Sequence, residues 1–131
     1  MFLTKECDYA IRVVRELADE EIKTTKTICE NEQIPMPFAY KILKKLESAG
    51  IIRAHRGTNG GYRLAKRPNQ ISLFNIVSAV DKNLFVNECM KQDYVCPNNK
   101  DGKNCGIHLE FCRLQGILIK ALSEKNISEL V

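Results

Sequence analysis

Four cysteines and a histidine crowd one stretch of this chain, in the order Cys89-x6-Cys96-x8-Cys105-x2-His108-x3-Cys112. The intervening residues include Pro97, Gly102, Gly106 and a run of Asn and Lys, which predicts loop over most of the segment. Free cysteine is ordinarily a small buried hydrophobe, so thiols kept in a polar loop require a chemical reason. Three chemistries use such thiols: capture of a metal or iron–sulfur centre, disulfide pairing, and redox reaction at a reactive sulfur. Structural zinc on four thiolates, or on three and an imidazole, is compatible with the donor types, although no Cys-x2-Cys knuckle is present.

The other soft or titratable groups are dispersed. Cys7 and Cys29 fall on helix-forming segments and are expected to pack in the core, and His55 lies in a strand-like run where a structural role or a phosphate contact is expected. No phosphate-cradling glycine loop, nucleophile–base pairing or paired acids stand out, so catalysis is not expected.

The elements that must position the thiols belong to a chain of 131 residues, 44% of them hydrophobic, enough for one domain with an appended helix. No apolar run approaches the length of a membrane span, and the opening Met1-Phe-Leu-Thr-Lys-Glu6 turns charged at once, without a signal region. A cytoplasmic protein that does not associate with membranes is therefore expected. In reducing cytosol, clustered cysteines favour metal binding or reactivity over structural disulfides.

The net charge of +4 is unevenly spread. Residues 1–36 balance at −3 and residues 68–131 at zero, while residues 37–67 hold eight basic side chains against Glu47 alone. A basic segment of this density is either a solvated face or a surface for a polyanion.

Apolar periodicity supplies the scaffold. Thr4 can cap a first helix whose buried stripe is Ala10, Ile11, Val14, Leu17 and Ala18. Thr24 or Thr25 opens a short second helix, and a third runs from Met36 or Pro37 to Ser48, with Gly50 suited to its C-terminal cap. Ala39, Ile42, Leu43 and Leu46 point inward there, leaving Tyr40, Lys41, Lys44 and Lys45 on the outer face. Two strand-like runs, 51–56 and 62–65, then flank an Asn59-Gly60 turn and predict a hairpin. Gly60 and Gly61 can supply positive φ at that turn. Helix-turn-helix followed by a basic hairpin is a winged helix. A fourth helix is expected from Ile71-Ser72 to Val80, and a last one from Ile107 to Lys125. In the last, Ile107, Phe111, Leu114, Leu118 and Ala121 form a heptad-like seam suited to a second copy of the chain. The expected fold is mainly α with a small β-hairpin wing. Residues 1–80 form the winged helix-turn-helix, 81–105 the cysteine-bearing loop, and 106–131 the dimerisation helix and tail.

Three motifs carry a more specific likeness. Leu3-Thr4 followed by Asp8-Tyr9-Ala10-Ile11-Arg12 resembles the opening of the Rrf-two family of bacterial transcription regulators. The wing Arg56-Gly57-x-x-Gly60-Gly61-Tyr62-x-Leu64 matches that family's most diagnostic motif, and Asn126-Ile-Ser-Glu-Leu130 resembles its closing signature with Asn in place of Thr. The resemblance implies a homodimer on a pseudo-palindromic double-stranded DNA operator. By position it implies DNA contacts at Thr4, Pro37, Phe38, Tyr40, Lys41, Lys44 and Lys45, and at Arg56, Asn59, Gly60 and Gly61 of the wing. Tyr40 replaces a base-reading glutamate of the cluster regulators, so their operator preference does not transfer.

The cluster-binding branch of the family implies three cysteine ligands, the last just before the dimerisation helix. Cys105-Gly-Ile-His108 reproduces the Cys-x2-His found at that place, whereas Cys112-Arg-Leu resembles the corresponding context in the nitric-oxide sensors. The interval from Cys105 to Asn126 favours Cys105. Cys89, Cys96 and Cys105 are thus the expected thiolate ligands of an iron–sulfur cluster, [2Fe–2S] ahead of [4Fe–4S]. His108 is the expected fourth ligand, with Cys112 and Asp8 as alternatives. The eight-residue gap between Cys96 and Cys105 is longer than the family's usual loop. A cluster-free dimer switched by thiol–disulfide chemistry, or carrying structural zinc, is the alternative.

Overall fold

The computed structural model describes residues 3–99 and 105–131. Gly102, expected to help turn the cysteine loop, lies outside them.

Helix α1 (Lys5–Glu16) begins where the Thr4 hydroxyl accepts a hydrogen bond from the Cys7 amide at 3.3 Å. Glu6 and Asp8 occupy its first turn, next to the positive end of the helix dipole. Cys7, Ala10, Val13, Val14 and Leu17 form its buried stripe, the last within a 3-10 turn that prolongs the helix. Helix α2 (Thr25–Glu32) is capped by Thr24, whose hydroxyl accepts from the Thr27 amide at 3.1 Å. Gln33 at φ 53° ends it, and Pro35 leads into α3 (Met36–Ser48). On α3 the predicted inward residues Ala39, Ile42, Leu43 and Leu46 are all 0% exposed. Each fully buried Leu or Ile contributes about 2 kcal/mol, and these side chains fix which face of α3 is left outside.

Strands β1 (Ile52–His55) and β2 (Gly61–Leu64) pair antiparallel, with Ile52 opposite Leu64 and Arg53 opposite Arg63. The hairpin does not stand alone. Lys23 and Tyr62 exchange backbone hydrogen bonds of 2.9 and 2.8 Å, which fasten the wing to the turn between α1 and α2. The expectation of positive φ holds for Gly61, at 159°, and needs correction for Gly60. Gly57, at φ 113°, takes the left-handed conformation, and Gly60 does not. Gly60 is required for space, since a Cβ there would stand 2.4 Å from the His55 carbonyl oxygen. Gly61 is required for the same reason, with the Lys23 carbonyl oxygen 2.3 Å from where its Cβ would be.

Helix α4 (Leu73–Val80) opens with a capping box, in which the Ser72 hydroxyl accepts from the Asn75 amide and the Asn75 side chain accepts from the Ser72 amide. It packs Ile76, Val77 and Val80 into the core formed by α1 and α3. After the loop come α5 (Gly106–Glu124) and the short α6 (Ile127–Leu130). The Ile127 amide donates to the Ile71 carbonyl at 2.8 Å, and the Ile127 side chain enters the core. Among the described residues, none on α5 is buried.

Candidate functional site

The packing of α3 leaves three large hydrophobic side chains in water, Met36 at 37%, Phe38 at 49% and Tyr40 at 58% exposure. The Phe38 ring lies 5.9 Å from that of Tyr9, which Lys5 and Arg12 flank at 5.0 and 5.8 Å. Pro37 is exposed in the first turn of α3, and Lys44 is exposed without a hydrogen-bonding or ionic partner among the described residues.

Lys41 and Lys45 are less free than the helix periodicity predicts. Glu6 of α1 accepts from both, Lys41 at 2.5 Å and Lys45 at 2.6 Å. Lys45 donates further to the Val80 carbonyl at 2.9 Å, so it is half-buried and clamps α1, α3 and α4 together rather than lying on the outer face as expected. The two ammonium groups hold the Glu6 carboxyl below its ordinary range. The sequence carries no signal for this cluster, because Glu6 is 35 residues from Lys41.

On the wing, Arg56 and Asn59 are exposed at the tip. Arg53 and Arg63 stand directly opposite each other in the ladder, both exposed. Like charges in that register repel, and an anion between or beside them relieves the repulsion. Arg53 was missed as a candidate, although alternation along β1 places it outward.

The thiol site is built at the root of α5. A 3-10 turn, Glu88–Met90, carries Cys89, whose amide donates to the Asn87 side chain at 3.4 Å. Cys89 Sγ lies 3.5 Å from His108 Nδ1, and Cys112 Sγ lies 3.5 Å from His108 Nε2. One imidazole thus links a thiol on the loop with a thiol on the helix, and Cys112 joins it because i and i+4 share a helix face. Cys105 is exposed at the N-terminal cap of α5, and Cys96 is half-buried, neither with a side-chain hydrogen bond to another described residue. These two stand on either side of residues 100–104, outside the description. Asp8 is held by Arg12 at 3.0 Å and Lys5 at 3.5 Å within its own helix. Cys7 and Cys29 are buried packing residues, as expected, and burial pushes the Cys29 thiol up. His55 Nε2, at the end of β1 in the wing, is buried without a hydrogen-bond partner among the described residues.

Gln115, which sequence reasoning did not single out, fastens α5 to the segment after α4. Its side chain donates to the Leu84 carbonyl at 2.5 Å and accepts from the Val86 amide at 2.9 Å.

The Rrf2 family model, described as an iron-dependent transcriptional regulator, matches residues 3–131. The chain belongs to the Rrf2 family. The HTH-type transcriptional regulator NsrR of Geobacillus kaustophilus is similar to it, 37% identical over 125 residues that cover 93% of this chain and 79% of the relative. Among solved structures, T. potens IscR superposes with a TM-score of 0.74 at 18% identity, over 98% of this chain and 84% of that one. The oxidized form of Staphylococcus aureus CymR gives 0.75 at 19% identity, over 99% and 95%. These structural likenesses carry the fold, a mainly helical winged helix with a long C-terminal helix. Rrf2 proteins are regulators of transcription, a class without enzymatic chemistry. No helix of this Rrf2 chain, among the described residues, is long and apolar enough to cross a membrane.

The donor set fits an iron–sulfur centre in kind, since thiolates and an imidazole are the ligands such centres take from proteins. Among the described residues, no three His, Cys, Asp or Glu side chains form a group able to hold a metal ion. Of the expected ligands the structure brings together Cys89 and His108, with Cys112 beside them, and it does not bring Cys96 or Cys105 to that point.

Proposed function

We propose that this Rrf2 protein is a homodimer that binds a pseudo-palindromic operator and adjusts its grip through an iron–sulfur centre on Cys89, Cys96, Cys105 and His108. The observation that carries the sensing half is the imidazole of His108, 3.5 Å from the Cys89 sulfur, because it joins the loop to α5 at one point. Cys89 and His108 would hold one corner of such a centre, which would supply an inorganic core sensitive to oxidation or nitric oxide, and its loss would loosen the tie between loop and helix. Cys112 competes with Cys105 for a place in the ligand set, since it already faces the second nitrogen of His108.

The DNA-binding half rests on α3 and the wing. Exposed Phe38, Tyr40 and Lys44 are offered to the major groove, where helix side chains reach base edges. Arg53, Arg56 and Arg63 supply charge for phosphates on the wing. Pairing of two copies is supported by α5. Ile107 is 67% exposed, and Leu114 and Ala121 follow it along a seam roughly a quarter turn from the side that Gln115 fastens inward. A helix about 28 Å long with no buried residue is half of an interface. Its two heads then meet half-sites about one helical turn apart, so a small change at α5 alters the fit to DNA.

A second reading keeps the dimer and replaces the centre with reversible oxidation of its thiols. Two sulfurs facing one imidazole favour it. Purification without oxygen, followed by iron and sulfide analysis, absorption spectra and selection of bound sequences from random duplexes, separates the readings. Coloured protein with iron and sulfide, an enriched palindrome, and loss of colour with altered DNA affinity in Cys89→Ser are expected. Colourless protein with stoichiometric zinc refutes the cluster. Iron-free protein whose DNA binding follows added oxidant and reductant establishes the second reading instead.

A further inference from the structure

We infer that a groove between the C-terminal half of α3 and the end of α4 is a seat for DNA backbone phosphate, with Lys82 as its far wall. The inference rests on the DNA-binding reading above and extends it to an element outside α3 and the wing. The groove, of about 400 Å³, is lined by Lys41, Lys44, Lys45, Ser48 and Lys82, with Ala49 and Ala79 between them. Four ammonium groups meet there and no acidic side chain shares the lining.

A solvated helix face does not explain this arrangement. Three of the lysines come from α3, but Lys82 follows the end of α4, so the groove is assembled by tertiary packing rather than by the periodicity of one helix. Glu6 balances Lys41 and Lys45 from the side of α1. Lys44 has no partner among the described residues, and Lys82 reaches the uncharged Ser78 carbonyl at 3.3 Å. Asp81, next to Lys82 in sequence, is turned instead to the Asn83 amide at 2.8 Å. Two ammonium groups without a counter-charge among the described residues, a nearby Ser48 hydroxyl and two small alanines between them suit the oxygens of a phosphate. Lys41 belongs both to this groove and to the exposed side of α3, so a strand whose bases lie against Tyr40 continues past Lys44 toward Lys82. That continuity favours the phosphodiester of a duplex over a free anion. Phosphate contacts of this kind fix position and carry no sequence information.

Binding of the full-length protein to a mixed-sequence duplex, measured across a salt series, tests the seat without knowledge of the operator. Each phosphate contact contributes about 0.9 to the slope of log affinity against log salt. Lys82→Gln is expected to lower the slope by about two per dimer, with Lys82→Arg restoring it and unchanged thermal unfolding of both variants. An unchanged slope in Lys82→Gln, in the same assay in which Arg56→Gln lowers it, overturns the seat and leaves the DNA-binding reading intact. Wild-type protein that fails to bind any duplex overturns both. Saturable binding of inorganic phosphate that Lys82→Gln abolishes, alongside an unaltered DNA slope, assigns the groove to a free anion and also overturns the proposal.

Discussion

Replacing Glu6 with Gln should move stability and DNA affinity in opposite directions. Glu6 is shared by Lys41 at 2.5 Å and Lys45 at 2.6 Å. Both pairs are partly open to solvent, where screening limits each to about 0.2–1 kcal/mol, so the loss is about 1 kcal/mol in all. For a domain of this size that lowers the unfolding midpoint by roughly 4 °C. Lys45 remains tied to the Val80 carbonyl, but Lys41 is released toward the outer face of α3. One freed lysine per subunit should raise the salt slope of duplex binding by about two per dimer and tighten binding at low salt. The pH dependence has a fixed sign. Because Lys41 and Lys45 hold the Glu6 carboxyl below its ordinary value of 4.5, its stabilisation is complete above that value and disappears as the pH falls through the lower folded-state value. The gap in stability between wild type and Glu6→Gln should therefore be full at neutral pH and close in acid. Duplex affinity that falls or stays level in Glu6→Gln, with an unchanged slope, would refute the claim that this carboxylate competes with phosphate for Lys41.

Further outcomes follow from other contacts. Gly61→Ala drives a Cβ against the Lys23 backbone and breaks a two-bond bridge, so a loss of about 2–3 kcal/mol in denaturant unfolding is expected, with weakened duplex binding. Leu114→Glu with Ala121→Glu places charge on the α5 seam and should yield a folded monomer in sedimentation; an intact dimer would move the interface elsewhere. In protein stripped of any metal, alkylation followed by mass spectrometry should label the exposed Cys105 and Cys112 first. Cys7 and Cys29 should be labelled last, the latter because burial raises its thiol; early labelling of Cys29 would contradict its packing role.

Local chemistry made most of the scaffold readable in advance. Thr4, Thr24 and Ser72 announce helix starts because their hydroxyls serve orphan amides a few residues away. The inward residues of α3 followed from a 3.6-residue repeat, and the hairpin from two strand-like runs around a glycine-rich tip, although the turn centres on Thr58-Asn59, closed by the Gly60 amide on the Gly57 carbonyl, and not on Asn59-Gly60. What could not be read depends on partners far apart in the chain. Nothing near Gly61 in sequence reveals the Lys23 carbonyl that excludes a side chain there. Lys45 looked solvent-facing by periodicity, yet α1 and α4 converge on it. At the thiol site, the meeting of Cys89 with His108 crosses a loop whose path the sequence does not encode in any periodic pattern. The i+4 relation of His108 to Cys112, in contrast, was legible as soon as α5 was drawn.

The attachment of α5 has a mechanical consequence. Gln115 pins the rod at mid-length to the backbone of Leu84 and Val86, and Ile127, just past its far end, is sewn to Ile71. Held at these two points, the helix resists swinging as a whole, while the turns that carry His108 and Cys112 lie beyond the Gln115 anchor. In the proposed dimer, a change at His108 would therefore reach a partner copy first through the unanchored half of α5.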